Sequence, residues 1–282
     1  MPKLSIITIN YNHLEGMKRT MESVANQTWQ EFEYVVIDGG STDGSAEYIE
    51  SQSANINYWV SEPDKGIYNA MNKGIAKATG EYLLFLNSGD HLYRNTVLEE
   101  NQKNIGNYDL VYFNLHIRNE TVSKIVSYPE KLNFSHMYVG YLPHPATFIK
   151  RTLFEIVGLY DENLEVVSDW KFFILAVFKY KFSYMKISET ISTYYLDGIS
   201  SIKDCSEERN KVLEEYFSDY NNDYKELVSL RNEVDFNAKI LRSNRVKMLL
   251  EIEKSILGKK LVSIFFRIYL ILFSDKKIKD IL

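Results

Sequence analysis

Cysteine is almost absent: the 282-residue chain has one, Cys205. No intrachain disulfide can form, so a reducing compartment is the expected setting, which reads as cytoplasmic. Long apolar runs are also missing. The most apolar stretch, residues 261–273, is interrupted by Ser263 and Arg267 and falls short of the roughly 20 residues that cross a bilayer. The first residues enter a strand-like run without the basic, apolar and small-residue zones of an export signal, so none is expected. Two nucleotide signatures are lacking as well. The turn after the first apolar run reads Asn10-Tyr11-Asn12-His13, with no Gly-x-Gly-x-x-Gly, and no Gly-x-x-x-x-Gly-Lys-Ser/Thr occurs. This argues against a dehydrogenase-type dinucleotide fold and against a P-loop, because both cradle phosphates in glycine-lined backbone. There is no internal repeat or low-complexity tract.

What is present suffices for one substantial core, with 45% hydrophobic residues. The net charge of −5 is unevenly spread. From Asn237 onward there are 11 Lys and Arg against 4 Asp and Glu, a local +7 that leaves −12 on the remainder. An acidic body argues against nucleic-acid binding, and a basic tail points to an anionic surface.

Three short apolar runs, residues 4–9, 34–37 and 82–86, alternate with helix-like segments at 14–27, 45–51 and 65–78. The runs show little polar alternation, as expected of parallel strands covered on both faces. The spacing predicts an α/β/α sandwich on a mostly parallel central sheet. Two further strands are expected at 110–117 and 121–126, a helix at 170–178 and a strand at 182–195. Beyond residue 206 the pattern is helical and highly charged. The resulting division is a main domain over 1–202, with a donor-binding half at about 1–100 and an acceptor half at about 101–202, and a basic amphipathic extension over 203–282.

In open α/β sheets ligands sit outside the carboxyl ends of the strands. The residues there are Asn10-Tyr11-Asn12, Asp38-Gly39-Gly40-Ser41-Thr42-Asp43-Gly44 and Asn87-Ser88-Gly89-Asp90. The second segment offers a carboxylate, a flexible turn and helical N–H groups that suit a nucleoside, or else Ser41 or Asp43 only caps the following helix. In the third, Asp90 suits a partly hydrated divalent cation, or else is a solvated turn residue.

These segments, together with Ser61-Glu62-Pro63-Asp64-Lys65-Gly66-Ile67-Tyr68-Asn69-Ala70-Met71-Asn72-Lys73-Gly74 and the run from Gly80 to Asp90, resemble bacterial family 2 glycosyltransferases of the GT-A fold over about residues 3–202. The resemblance implies that Thr8 and Tyr11 line the nucleobase pocket, that Asp38 hydrogen-bonds the base, that Asn12 and Ser41 also belong to the nucleotide-sugar site, and that Asp64 and Lys65 lie beside nucleoside and phosphates. Asn87-Ser88-Gly89-Asp90 stands at the family's Asp-x-Asp metal motif. Asn87 and Gly89 replace acidic residues there, leaving Asp90 as the motif's carboxylate for Mn²⁺ or Mg²⁺, with Ser88 and Gly89 beside the donor. The segment Gly158 to Trp170 is similar to the family stretch that carries the general base, which implies Asp169 in that role; alternatively Asp169 complements the dipole of the helix starting there. Pro143-His144-Pro145 would border acceptor and donor sugar, Trp170 would line the acceptor side, and Gly198 and Ser200 would belong to a closing loop.

The expected activity is inverting transfer from a nucleotide-diphosphate sugar, a UDP-sugar first, to a glycan or lipid-linked saccharide in surface polysaccharide biosynthesis. The tail would lie on the inner face of the cell membrane, or pack on the main domain or on a second copy as a homodimer. A sugar nucleotidyltransferase and a binding protein without transfer activity are the rival readings.

Overall fold

The computed structural model describes residues 2–196 and 203–273. The expected Gly198 and Ser200 loop lies outside them. The chain opens with β1 (Leu4–Asn10), α1 (Leu14–Ala25), β2 (Glu33–Asp38), α2 (Ser45–Ser51), β3 (Tyr58–Ser61), α3 (Ile67–Lys77) and β4 (Tyr82–Phe85). Every residue of β1 and β4 is buried, as uninterrupted apolar runs between covering helices require. α3 packs on β1 and β2.

The second half contains β5 (His91–Leu92), α4 (Val97–Asn101), β6 (Leu110–Arg118), β7 (Ser123–Val126), α5 (Phe134–Val139), β8 (Thr147–Lys150), α6 (Leu153–Ile156), α7 (Ser168–Ile174) and β9 (Tyr184–Tyr195). A single sheet joins the strands of both halves in the order β3-β2-β1-β4-β8-β6-β9-β5, with β7 added on β6. The expected parallel arrangement holds from β3 to β4 and between β6 and β9. β8 runs antiparallel between β4 and β6, so the sheet is mixed at its centre.

Three strands lie where none was expected, among them the two-residue β5. β3 is a half-buried edge strand of four residues, and β8 follows directly on the proline-flanked His144 turn. The helix expected at 170–178 starts at Ser168 and passes into a wider turn over Leu175–Lys179, where the Tyr180 N–H reaches back five residues to the Leu175 carbonyl at 2.9 Å.

The C-terminal helices are α8 (Ser206–Arg242), α9 (Asn244–Ile252) and α10 (Ile256–Phe273). α8 leaves helical geometry at Phe217 (φ −142°, ψ 34°), where the chain divides into compact units Met1–Tyr216 and Phe217–Leu282. Residues 203–216 thus sit with the first unit.

Candidate active site

The ends of β1, β2 and β4 lie side by side, which brings Asn10, Asp38 and the turn after Phe85 to one edge of the sheet. Asp38 is fully buried. Its Oδ1 accepts from Asn10 Nδ2 (2.7 Å) and Ser41 Oγ (2.6 Å), and its Oδ2 from the Ser41 N–H (2.9 Å) and Ser61 Oγ (2.6 Å). A carboxylate has about four acceptor positions, and all of them are used here. Burial works to raise its pKa, but the Ser41, Ser61 and Asn10 bonds overcome it and hold the carboxyl below its ordinary range. Any contact with a nucleobase would have to replace one of these four bonds.

Asp38→Asn is expected to destabilise the fold by about 2–4 kcal/mol at neutral pH, since an amide turns a donor toward donors. The stabilisation from a depressed carboxyl is present above the unfolded-state pKa and is lost as pH falls through the folded one. Denaturation of both proteins should therefore show the gap closing in acid. An equal gap at acid and neutral pH would show that the charge carries none of it.

Around Asp38 the loops tie to one another. Asn12 has a positive φ of 48°, its N–H donates to Ser41 Oγ (2.8 Å), and its Oδ1 accepts from the Thr42 N–H (2.8 Å). Asp43 Oδ2 accepts from the Leu14 N–H (2.8 Å) and so satisfies the first turn of α1 from a different loop. Gly39 lets the Asp64 carboxylate come close: a Cβ there would stand 2.4 Å from Asp64 Oδ2 and 3.2 Å from Tyr11 Cδ2, so a side chain would push that carboxylate aside. Tyr11 is 65% exposed and Asp64 is half-buried, so an aromatic face and a carboxylate share one opening. Lys65 is exposed beside them, its N–H held by Asn69 Oδ1 (3.1 Å). Thr8 is fully buried with its hydroxyl on that of Tyr34 (3.0 Å); the structure does not bring it to this opening.

The Asn87–Asp90 turn is shaped from α1. Thr20 Oγ1 accepts from the Gly89 N–H (3.0 Å) and lies 2.6 Å from the Asp90 carbonyl, to which it donates. Gly89 adopts φ 105° and is buried under the His13 ring, where a Cβ would come within 3.1 Å. His13 Nδ1 lies 3.3 Å from the Ser88 carbonyl. The turn places Asp90 at 5% exposure.

From the other half come His144, just before β8, and Asp169, in the first turn of α7. His144 Nδ1 lies 2.8 Å from Asp169 Oδ2, and Asn87 Nδ2 lies 3.3 Å from His144 Nε2. Both contacts are satisfied with the proton on Nδ1, the ring donating to Asp169 and accepting from Asn87. Burial works to lower the imidazole pKa, but the bond to Asp169 and the charges of Asp169 and Asp90 raise it above its usual value. Asp169 Oδ1 also accepts from the Trp170 N–H (2.8 Å) and lies 3.2 Å from the Tyr68 hydroxyl, which donates mainly to the Val166 carbonyl at 2.5 Å. Unlike Asp38, Asp169 keeps an acceptor position for a further proton. The Trp170 indole is buried, with Nε1 donating to the Met137 carbonyl (2.7 Å); only its backbone N–H meets the site.

Among the described residues no cluster of three His, Cys, Asp or Glu could hold a metal ion. The turn nevertheless suits a hard divalent cation that keeps waters and takes phosphate oxygens. Besides the Asp90 carboxylate it holds the Asn87 Oδ1, a buried amide oxygen without a hydrogen-bond partner. Sequence reasoning missed His13, Thr20, Tyr68 and Ser61, whose partners lie 23 to 101 residues away.

The model of "Glycosyl transferase family 2" matches residues 5–160. An uncharacterized glycosyltransferase of Mycobacterium tuberculosis is 33% identical over 180 residues, covering 62% of this chain and 69% of the relative. A PGL/p-HBAD biosynthesis glycosyltransferase of Mycobacterium bovis BCG is 33% identical over 178 residues, covering 61% and 68%. Among solved structures, Staphylococcus aureus TarS 1-349 in complex with UDP-GlcNAc aligns with TM-score 0.59 at 21% identity, over 75% of this chain and 64% of that one. The mannosyltransferase PcManGT of Pyrobaculum calidifontis, in complex with GDP-Man and Mn²⁺, aligns with TM-score 0.55 at 15% identity, over 71% and 59%. This chain thus spans less than two thirds of either solved chain, and those two likenesses speak to fold alone.

Proposed function

This chain belongs to glycosyl transferase family 2, and from that premise we propose that it moves a sugar, with inversion, from a nucleotide-diphosphate donor to a saccharide or lipid-linked acceptor. The observation that carries the reading is the hydrogen-bonded line Asn87–His144–Asp169. It joins the turn beside the donor's diphosphate to a carboxylate with a free acceptor position.

In this reading the base stacks at Tyr11, and Asp64 accepts its N–H groups across Gly39. Asp90 and the Asn87 amide oxygen would hold Mn²⁺ or Mg²⁺, which when bound neutralises charge on the leaving diphosphate. Asp169 takes the proton of the acceptor hydroxyl as its oxygen bonds to the anomeric carbon and the bond to the diphosphate breaks. His144 holds Asp169 in place through Nδ1. Tyr68, whose burial and whose neighbour Asp169 raise its pKa well above the usual value, stays a neutral donor. The UDP-GlcNAc and GDP-Man held by the two solved relatives favour a nucleotide-sugar donor of either base.

A thermal-shift panel of UDP- and GDP-sugars with and without Mn²⁺ should single out one donor, because a ligand that binds the native state raises its stability with occupancy. That donor should yield nucleoside diphosphate on turnover. Release of pyrophosphate would point to a nucleotidyltransferase, and absence of any turnover to a binding protein; either outcome defeats the proposal.

The C-terminal unit fits an acceptor presented at a membrane. No helix among the described residues is long and apolar enough to cross one. α10 instead sets Lys259, Lys260 and Arg267 among exposed Ile256, Leu257, Leu261 and Phe265. Such a helix lies in an anionic interface. Co-sedimentation with phosphatidylglycerol vesicles, weakened by salt and absent with phosphatidylcholine alone, is the expected result; equal recovery from both would remove the electrostatic part.

A further inference from the structure

The start of α8 grips the segment that leads to Asp169. Glu208 Oε1 accepts from the Glu165 N–H (2.7 Å), and Oε2 accepts from the N–H groups of Val166 (3.1 Å) and Val167 (3.2 Å). One carboxylate thus takes three consecutive backbone donors, each strengthened by its charge. Lys203 pairs with the Glu165 carboxylate. Arg209, the residue after Glu208, reaches a different segment. Its Nη2 donates to the Gly140 carbonyl (3.1 Å) and its Nη1 to that of Tyr138 (3.5 Å), while its guanidinium lies 4.9 Å from the centre of the Trp170 ring. Trp170 in turn is anchored on Met137. Two adjacent side chains therefore fix both the peptides just before Asp169 and the residue just after it, and tie them to the stretch that leads into His144.

We propose that Glu208 and Arg209 are positioning residues for proton transfer. They act through the 165–167 backbone and Trp170 to hold the Asp169 carboxylate on its line with His144. The proposal rests on Asp169 being the base. Neither residue meets the reacting atoms, yet displacement of a catalytic group by about 1 Å can cost on the order of 10²-fold in rate.

The test compares Glu208→Ala, Glu208→Gln and Arg209→Ala with the parent in two measurements. The first is nucleotide release from whichever of UDP-glucose, UDP-galactose, UDP-N-acetylglucosamine and GDP-mannose the parent turns over, with water as acceptor. Glu208→Ala should lose about 10- to 100-fold in kcat with donor KM within about twofold, and Glu208→Gln, which keeps an acceptor oxygen, should recover much of the loss. The second is amide hydrogen exchange, expected to quicken at residues 165–167 in Glu208→Ala. A purely structural role would lower Tm while leaving kcat per folded molecule unchanged, and that result overturns the proposal, as does unchanged exchange. Where Glu208→Ala does not fold, Glu208→Gln and Arg209→Lys decide by the same readouts. If Asp169→Asn is inactive while the Glu208 variants turn over normally, the positioning role alone falls. If Asp169→Asn stays active, the assignment of the base falls first.

Discussion

Asp169→Asn should cut turnover by about 10²–10⁴-fold and leave donor affinity within about twofold. The substitution is nearly isosteric, and its amide oxygen can still accept the Trp170 N–H that lies 2.8 Å from Oδ1. What it loses is the ability to take a proton from an attacking hydroxyl. Asp169 is hydrogen-bonded to His144, Trp170 and Tyr68, and these bonds do not involve Tyr11 or Asp64 of the opening proposed for the nucleoside, so binding and turnover should separate. Calorimetric titration with the donor and single-turnover nucleotide release distinguish the two. Near-normal turnover in this variant would remove Asp169 from its role.

For Asp90→Ala the expected loss is about 10²–10³-fold in metal-stimulated turnover, the scale seen when one preorganised charge-stabilising group is removed. Unlike the Asp169 variant, this one should also weaken Mn²⁺ binding in the presence of nucleoside diphosphate, which can be followed by the electron-spin signal of free Mn²⁺. The Asn87 amide oxygen would remain, but as a neutral ligand it does not supply the charge of the lost carboxylate. Undiminished stimulation by Mn²⁺ would end the account of Asp90 while leaving family membership untouched.

Strands β1, β2 and β4 of the parallel half were legible because they are buried on both faces and read as unbroken apolar runs. The residues following β1, β2 and β4 were legible for the same reason, since each run stops where the chain turns polar at the sheet edge. β3 escaped because its run, Tyr58-Trp59-Val60, is only three residues long and belongs to a half-buried edge strand. β8 escaped because Pro143 and Pro145 make its approach look irregular. Asp38 shows a subtler limit. Its position in the cleft was readable, but saturation by Asn10, Ser41 and Ser61 depends on strand register and not on local composition. Thr20 and Tyr68 sit on helices whose patterning marks them as packing residues, and only tertiary contact gives them polar work.

The antiparallel course of β8 reverses the usual direction of reading at this edge. In a wholly parallel sheet, only segments that leave a strand can reach the ligand edge. Inserting one strand of opposite polarity lets a segment that enters a strand arrive there, which is how His144 meets Asn87, 57 positions before it in sequence. In the proposed reading the loops departing from β1, β2 and β4 serve the nucleotide, and the approach to β8 meets them at one point, the His144–Asn87 contact. One reversed strand is therefore what joins the second half of the chain to the edge built by the first.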